Sequence, residues 1–233
     1  MGETPFDFDQ NPNLPTTDYD IVVRQSIPGY DAMLTMLTAL FQLYLTDDAH
    51  ILVVGAGGGN EISALSQTHP TWQFTCVDPS EKMLAVAQSK VESLGIEDCV
   101  MLHNGVVQEL PIHPYSAATS QLVMHFLPDN GTKLDYLKEI SARLRPSSPL
   151  VLVDLYGDKQ SEVFKRLVDG WWKRAQMAGM ESQRLNEVAD GVWQHIQCIS
   201  EERTLELLTQ AGFANITRFY TAFIFAGWVA SAA

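Results

Sequence analysis

The sequence predicts an α/β protein: a doubly wound, mostly parallel seven-stranded sheet, helices on both faces, and an antiparallel hairpin at its C-terminal end. Three observations carry this. Short apolar runs alternate with stretches of helical periodicity, and the links between them are short. The first run, ILVVG, enters a loop in which four of residues 55–59 are glycine. Two β-like segments near the C-terminus lie too close together for a crossover helix, so they must pair antiparallel.

Residues 1–20 are polar and rich in Pro and Asp, and are expected to be mobile. The remainder, 21–233, reads as one domain with a helical cap or insertion at about 158–199. Apolar residues at helical spacing (Met33, Leu34, Leu37, Leu40, Phe41, Tyr44) predict a helix over 27–45, with Pro28 in its first turn. HILVVG (50–55) is a continuous apolar run, as a central parallel strand requires. A helix over 60–67 and a strand over 72–78 follow. Ser80 caps a helix that ends at Gly95. Strands are predicted over 99–104, within 117–127, and over 149–156. A helix runs between the last two from Asp129 to Leu144, and Arg145-Pro146 stops it. Two helical stretches, 158–179 and about 181–196, have no strand between them. Ser200 caps 201–212, and 216–231 forms the two β segments, turning near Thr221.

Composition bounds the function. The 233 residues are 46% hydrophobic and carry a formal net charge of −13, enough apolar content for a real core and the wrong sign for a phosphate backbone. Nucleic acid is not an expected direct partner. The basic residues Lys165, Arg166, Lys173 and Arg174 read as a solvated helix face. Three scattered cysteines give no disulfide framework, and the six histidines have no metal-ligand spacing, so no metal is expected. The N-terminus has no signal-peptide pattern and no run is long enough to span a bilayer. A cytoplasmic protein without membrane contact is the expectation. Exposed Phe and Trp within 219–228 would permit a homodimer.

The glycine loop is the chemical feature. Gly55, Gly57 and Gly59 form GxGxG with Ala56 between them, after a buried strand and before a helix. Bare backbone turns sharply there and lets a ligand come close. A dinucleotide site wants GxGxxG, and position 60 is Asn. In the resulting Rossmann-like frame, the second strand ends in Asp78, placed to accept the hydrogens of two ribose hydroxyls. Pro79 follows, and Met83 is placed to rest on an adenine face. The third strand ends in HNGVV, where Gly105 precedes Val106 and Val107, whose backbone N–H groups are expected to read the adenine edge.

With GAGGGNE, CVDPSEKML and LRPSSPLVLVDLY in view, the chain resembles the class I S-adenosylmethionine-dependent methyltransferases over about residues 24–230. Within them it is most similar to the group that makes carboxy-S-adenosylmethionine for tRNA wobble-uridine modification, through RQSIPGYDAML, MHFLPD and FYTAFIFAGWVA. The resemblance implies S-adenosyl-L-methionine as cofactor, with S-adenosyl-L-homocysteine as product. It also implies that Tyr30 approaches the methionine end and that Gln121 touches the cofactor. Val53 stands where a strand-one Asp is usual, and Ala189, or Arg184 with a gap, stands where the group has an Arg for the extra carboxylate. Three functions follow: a methyltransferase acting on a small-molecule acceptor, a carboxy-S-adenosylmethionine synthase, or a non-catalytic cofactor-binding protein. Transfer from a sulfonium is an in-line displacement, so a general base is optional. The catalytic residues are unknown, with His125, Tyr156 and His195 as candidates. The acceptor is expected beneath the 158–199 helices, among Trp171, Trp172, Met177, Met180 and Trp193.

Overall fold

Ile51, Leu52 and Val53 have no exposed surface, so the strand they form must be covered on both faces. The computed structural model, which describes residue 9 and residues 18–186 and 195–233, shows how. β1 (His50–Val54), β2 (Gln73–Asp78), β3 (Val100–Asn104), β4 (Ala117–Gln121) and β5 (Pro149–Leu155) are parallel, while β6 (Phe213–Ala222) and β7 (Phe225–Ala232) form an antiparallel hairpin on the β5 edge. The sheet order is β3-β2-β1-β4-β5-β7-β6. Strand order therefore reverses between β1 and β4, where such sheets open a crevice at their carboxyl ends.

Alternation along each strand feeds two cores. Ile51, Val53, Cys76, Val151 and Val153 face a layer that includes α1 (Tyr19–Ser26), α2 (Tyr30–Tyr44), α3 (Asn60–Thr68) and α6 (Glu162–Met177). Leu52, Val54, Leu150 and Leu152 face α5 (Thr132–Ser141) and α7 (Glu201–Gln210), through Leu137, Ile140, Leu207 and Leu208. α4 (Glu81–Leu94) starts where Ser80 Oγ accepts the Met83 N–H and stops at left-handed Gly95. Ser200 likewise accepts the Arg203 N–H and opens α7.

Several boundaries differ from the sequence expectation. The segment before Pro28 forms α1, and Pro28 lies outside α2, whose N-cap is left-handed Gly29. α5 begins at Thr132 because Gly131, at φ 109°, turns the chain there. Asp129 instead pairs with Arg203 at 2.9 Å. α6 starts only after Ser161, which accepts the Phe164 N–H at 3.1 Å. β6 begins at Phe213, and the hairpin turns at 223–224, with Phe223 at φ 54°, not near Thr221. Phe225 and Trp228 are buried in the cores, and Phe219 and Phe223 are half-buried, so the exposed aromatics invoked for a homodimer are absent from β7. Residues 1–8, 10–17 and 187–194 lie outside the described residues, and with them most of the expected mobile segment, Ala189 and Trp193. Residues 182–186 are helical.

Candidate active site

β1 delivers the chain into a loop with three left-handed glycines, Gly55, Gly57 and Gly59, at φ 75°, 50° and 76°. They do different work. A Cβ on Gly55 would lie 2.1 Å from Val123 Cγ2, so bare backbone lets the β1 and β4 loops close on each other. A Cβ on Gly59 would meet Ala87 at 3.2 Å. Gly59 thus serves the packing of α3 on α4, and neither cavity described below is lined by it. Gly57 lies open to the cavity, its N–H donating to Asp78 Oδ2 at 2.8 Å. Asp78 Oδ1 accepts the Ser80 N–H at 2.9 Å. Burial pushes the Asp78 carboxyl above its usual range, and these two N–H bonds pull it back.

Beneath the strand ends lies a cavity of about 310 Å³. Gly55, Gly57, Asp78, Pro79, Met83, Gly105, Val106, Val107 and Gln121 all line it. Tyr19, Val77, Leu122, Val123, Phe126, Leu127 and Tyr136 complete most of its wall. The Val106 N–H donates to Glu109 Oε2 at 3.0 Å, so that donor is already engaged within its own loop. Gly105 has no room for a side chain, because a Cβ would fall 2.0 Å from the same Glu109 oxygen.

A second hollow of about 20 Å³ shares Tyr19, Gly55, Gln121 and Leu122 with the first. Tyr30 and Ala56 line it, together with Asn60 and Glu61. Glu61 is 5% exposed. Burial raises its pKa to about 7, while Thr119 and Gln121 beside it pull the other way. Leu122, which borders both cavities, holds φ 60°, an unusual value for a leucine. Backbone strain of this kind collects at functional sites.

Tyr19, Glu61 and Leu122 are absent from the sequence-derived site. The signal for Tyr19 was the apolar spacing of YDIVV; for Glu61, an acid in the first turn after the glycines.

The catalytic candidates lie apart from both walls. His125 is buried, its Nδ1 against Asp154 Oδ1. Close by, the fully buried Lys133 donates to the Met124 carbonyl at 2.6 Å. Burial lowers the Lys133 pKa, and Asp154 raises it. Tyr156 is half-buried and meets Trp228 edge to face at 5.8 Å. His195 is exposed. Nor does any residue of 158–186 line either cavity. α6 turns Phe164, Val168 and Trp171 into the core, and Trp171 Nε1 donates to the Ser26 carbonyl at 2.5 Å. Met180 is buried as well, and Met177 is 88% exposed. Of the basic residues on α6, Arg174 binds the Gln25 carbonyl at 2.7 Å and Lys165 pairs with Glu162. Among the described residues, no group of three or more His, Cys, Asp or Glu is arranged to hold a metal, and no helix is long and apolar enough to cross a membrane.

A protein-family model described as a methyltransferase domain matches residues 51–147, the stretch from β1 to the loop before β5. A carboxy-S-adenosyl-L-methionine synthase of Actinobacillus pleuropneumoniae is 24% identical over 213 residues, covering 90% of this chain and 87% of that protein. Among solved structures, an S-adenosylmethionine-dependent methyltransferase of Methanosarcina mazei aligns with a TM-score of 0.61 at 17% identity, over 83% of this chain and 96% of that one. An O-methyltransferase family 2 protein of Planctomyces limnophilus, solved with apigenin, aligns with a TM-score of 0.59 at 16% identity, over 92% of this chain and 66% of that one. The glycine loop above Asp78 and the reversal of strand order beside it both fall within the stretch that matches, so residues 51–147 carry the pattern of a methyltransferase domain.

Proposed function

We propose that this protein transfers a methyl group from S-adenosylmethionine to a small-molecule nucleophile, with the cofactor lying in the 310 Å³ cavity. The observation that carries this is Asp78. Each of its oxygens accepts one backbone N–H, which leaves lone pairs on both for the two ribose hydroxyls. The residues around it fit the rest of the nucleoside. Met83, Pro79 and Val106 offer apolar faces to a purine, and Gly55 and Gly57 give the cradle that side chains would fill. Gln121 and Tyr30 border the end where the methionine portion would lie.

When bound, the cofactor supplies a methyl group on a sulfonium, an electrophile whose leaving group needs no proton. The chain's task is then to hold the partners in line and to keep water out. Phe126, Leu127 and Val123 supply dry walls for that purpose. No general base is assigned: His125 Nδ1 is committed to Asp154, and the ring lies outside both walls. A net charge of −13 favours a small acceptor over a polyanion. The fold neighbour solved with apigenin supports the same class of acceptor by analogy. A cytoplasmic setting goes with this reading, since Cys76, Cys99 and Cys198 are all free thiols.

The relatives named carboxy-S-adenosyl-L-methionine synthase favour a second reading, because their similarity spans 90% of the chain. That product needs a cation facing the added carboxylate. Among the described residues, no Arg or Lys lines either cavity. Arg24 sits 5.7 Å from the centre of the Tyr30 ring and is held by Asp31 at 2.9 Å. Mass spectrometry of ligand retained by the purified protein separates the two. S-adenosylmethionine or S-adenosylhomocysteine is the expected finding; a carboxylated form moves the assignment to the second reading. Absence of binding heat with S-adenosylmethionine at about 100 µM protein would sink both.

A further inference from the structure

The loop after β4 supplies four residues to the larger cavity: Leu122, Val123, Phe126 and Leu127. Within the loop itself there is little to fix this shape. Met124–Phe126 form one short 3-10 turn, closed by the Phe126 and Leu127 N–H groups on the Val123 and Met124 carbonyls at 3.0 Å. The loop opens on Leu122 at φ 60°, a conformation that persists only where the surroundings enforce it.

Those surroundings lie outside both cavity walls. Lys133 of α5 has no exposed surface, and its Nζ donates to the Met124 carbonyl at 2.6 Å. The next carbonyl, that of His125, accepts the Gln197 N–H at 2.6 Å. The His125 side chain sets its Nδ1 against Asp154 Oδ1 of β5. That oxygen also accepts the Leu155 N–H at 2.9 Å, which fixes the carboxylate. The His125 ring lies 4.1 Å, centre to centre, from the ring of Phe126. Whatever orients His125 therefore orients a residue of the cavity wall.

Stability alone does not account for these residue types. Burying an ammonium and a carboxylate costs more than burying apolar side chains of the same volume, and their attraction repays the cost only in good geometry. Here Lys133 gives its hydrogen bond to a carbonyl, and Asp154 Oδ2 is shielded from solvent without a hydrogen-bond partner among the described residues. Asp154 is still the counter-charge. Asp129 is taken by Arg203 at 2.9 Å, and burial pushes the Cys198 thiol up to about 12, so it stays neutral. What the buried pair supplies is direction: a satisfied polar network admits one arrangement where apolar packing admits several.

We propose that Lys133, Asp154 and His125 are positioning residues, which hold the 122–127 loop in the shape that grips the cofactor. None of them touches the ligand; they act through Val123, Phe126 and Leu127. The inference rests on the cofactor reading above.

The test separates positioning from stability. Lys133→Met leaves the Asp154 charge unbalanced; Lys133→Met with Asp154→Asn removes both charges and keeps an acceptor for His125. Three quantities are read for each protein: the urea unfolding midpoint, S-adenosylhomocysteine affinity by calorimetry, and amide hydrogen exchange without ligand. Lys133→Met is expected to lower the midpoint, weaken S-adenosylhomocysteine at least tenfold, and speed exchange at residues 123–127 at least tenfold relative to β1. In the double variant the midpoint is expected to rise above that of Lys133→Met, while affinity and loop exchange stay impaired. Recovery of affinity together with the midpoint would make the group merely structural and refute the proposal. So would unchanged loop exchange in either folded variant. Failure of the wild type to bind S-adenosylhomocysteine refutes the cofactor reading and the proposal with it. Where Lys133→Met does not fold, the charge-balanced double variant carries the test.

Discussion

Replacing Glu61 by glutamine keeps the shape of the side chain and removes the cost of charging it. The glutamate's pKa rises from 4.5 to about 7 in the folded chain. The folded state therefore holds its proton more tightly than the unfolded one. On this account the wild type loses no stability below pH 4.5, loses it progressively as the pH rises, and bears the full cost above pH 7. A difference of that size is worth about 3 kcal/mol in full, of which about 2.5 kcal/mol accrues between pH 5 and pH 8. The side chain is buried, so solvent screening removes little of it. Urea unfolding of both proteins, without ligand, at pH 5 and pH 8 provides the assay. Subtracting wild type from variant at each pH cancels every other titrating group, Asp78 included. Glu61→Gln is expected to gain on the wild type by about 2.5 kcal/mol between the two pH values. Parallel stability profiles would mean that Glu61 is solvated or already paired, and would refute the electrostatic account of the hollow.

The other predictions concern the loop and the second buried charge. Asp78→Ala is expected to weaken S-adenosylhomocysteine by about 1–3 kcal/mol in calorimetry, because it removes the acceptor for both the ligand and the Gly57 N–H. Unchanged affinity would exclude the ribose role. Gly55→Ala forces a Cβ to 2.1 Å from Val123 at φ 75°, and should lower stability by about 1–3 kcal/mol in denaturant. Adding Val123→Ala should recover the steric part and leave the backbone strain. Lys133→Met strands the Met124 carbonyl and removes the cation near Asp154. A loss of about 1–3 kcal/mol is expected in thermal unfolding, and a neutral result would show that the carbonyl finds another donor.

Local rules settled much of this protein. The unbroken apolar run Ile51–Val54 could only be a strand covered on both faces, and four glycines behind it could only be a sharp, open turn. Ser80, Ser200 and Gly95 mark helix ends because capping needs only residues within one turn. The nearness of the last two β segments dictated an antiparallel hairpin. Asp78 was legible from its place at a strand end two elements after the glycines.

What the sequence left open depends on partners far along the chain. α1 lies mostly beyond the polar segment 1–20 and ahead of the helix expected from residue 27, and its Ser26 and Gln25 carbonyls are held by Trp171 and Arg174, some 145–149 residues away. That docking lays Tyr19 over the glycine loop. His125 follows a strand end, where a catalytic base would be sought, but β5 lies beside β4 and presents Asp154 to it inside the protein. Glu61 is an ordinary first-turn acid by sequence. Only the pairing of β4 with β1 brings Thr119 and Gln121 to the same side, and only α1 and α2 close the hollow with tyrosines. Burial and charge isolation are sums over neighbours from many elements, so a single stretch of sequence cannot display them; the three-dimensional assembly makes that carboxyl a titrating group near neutrality.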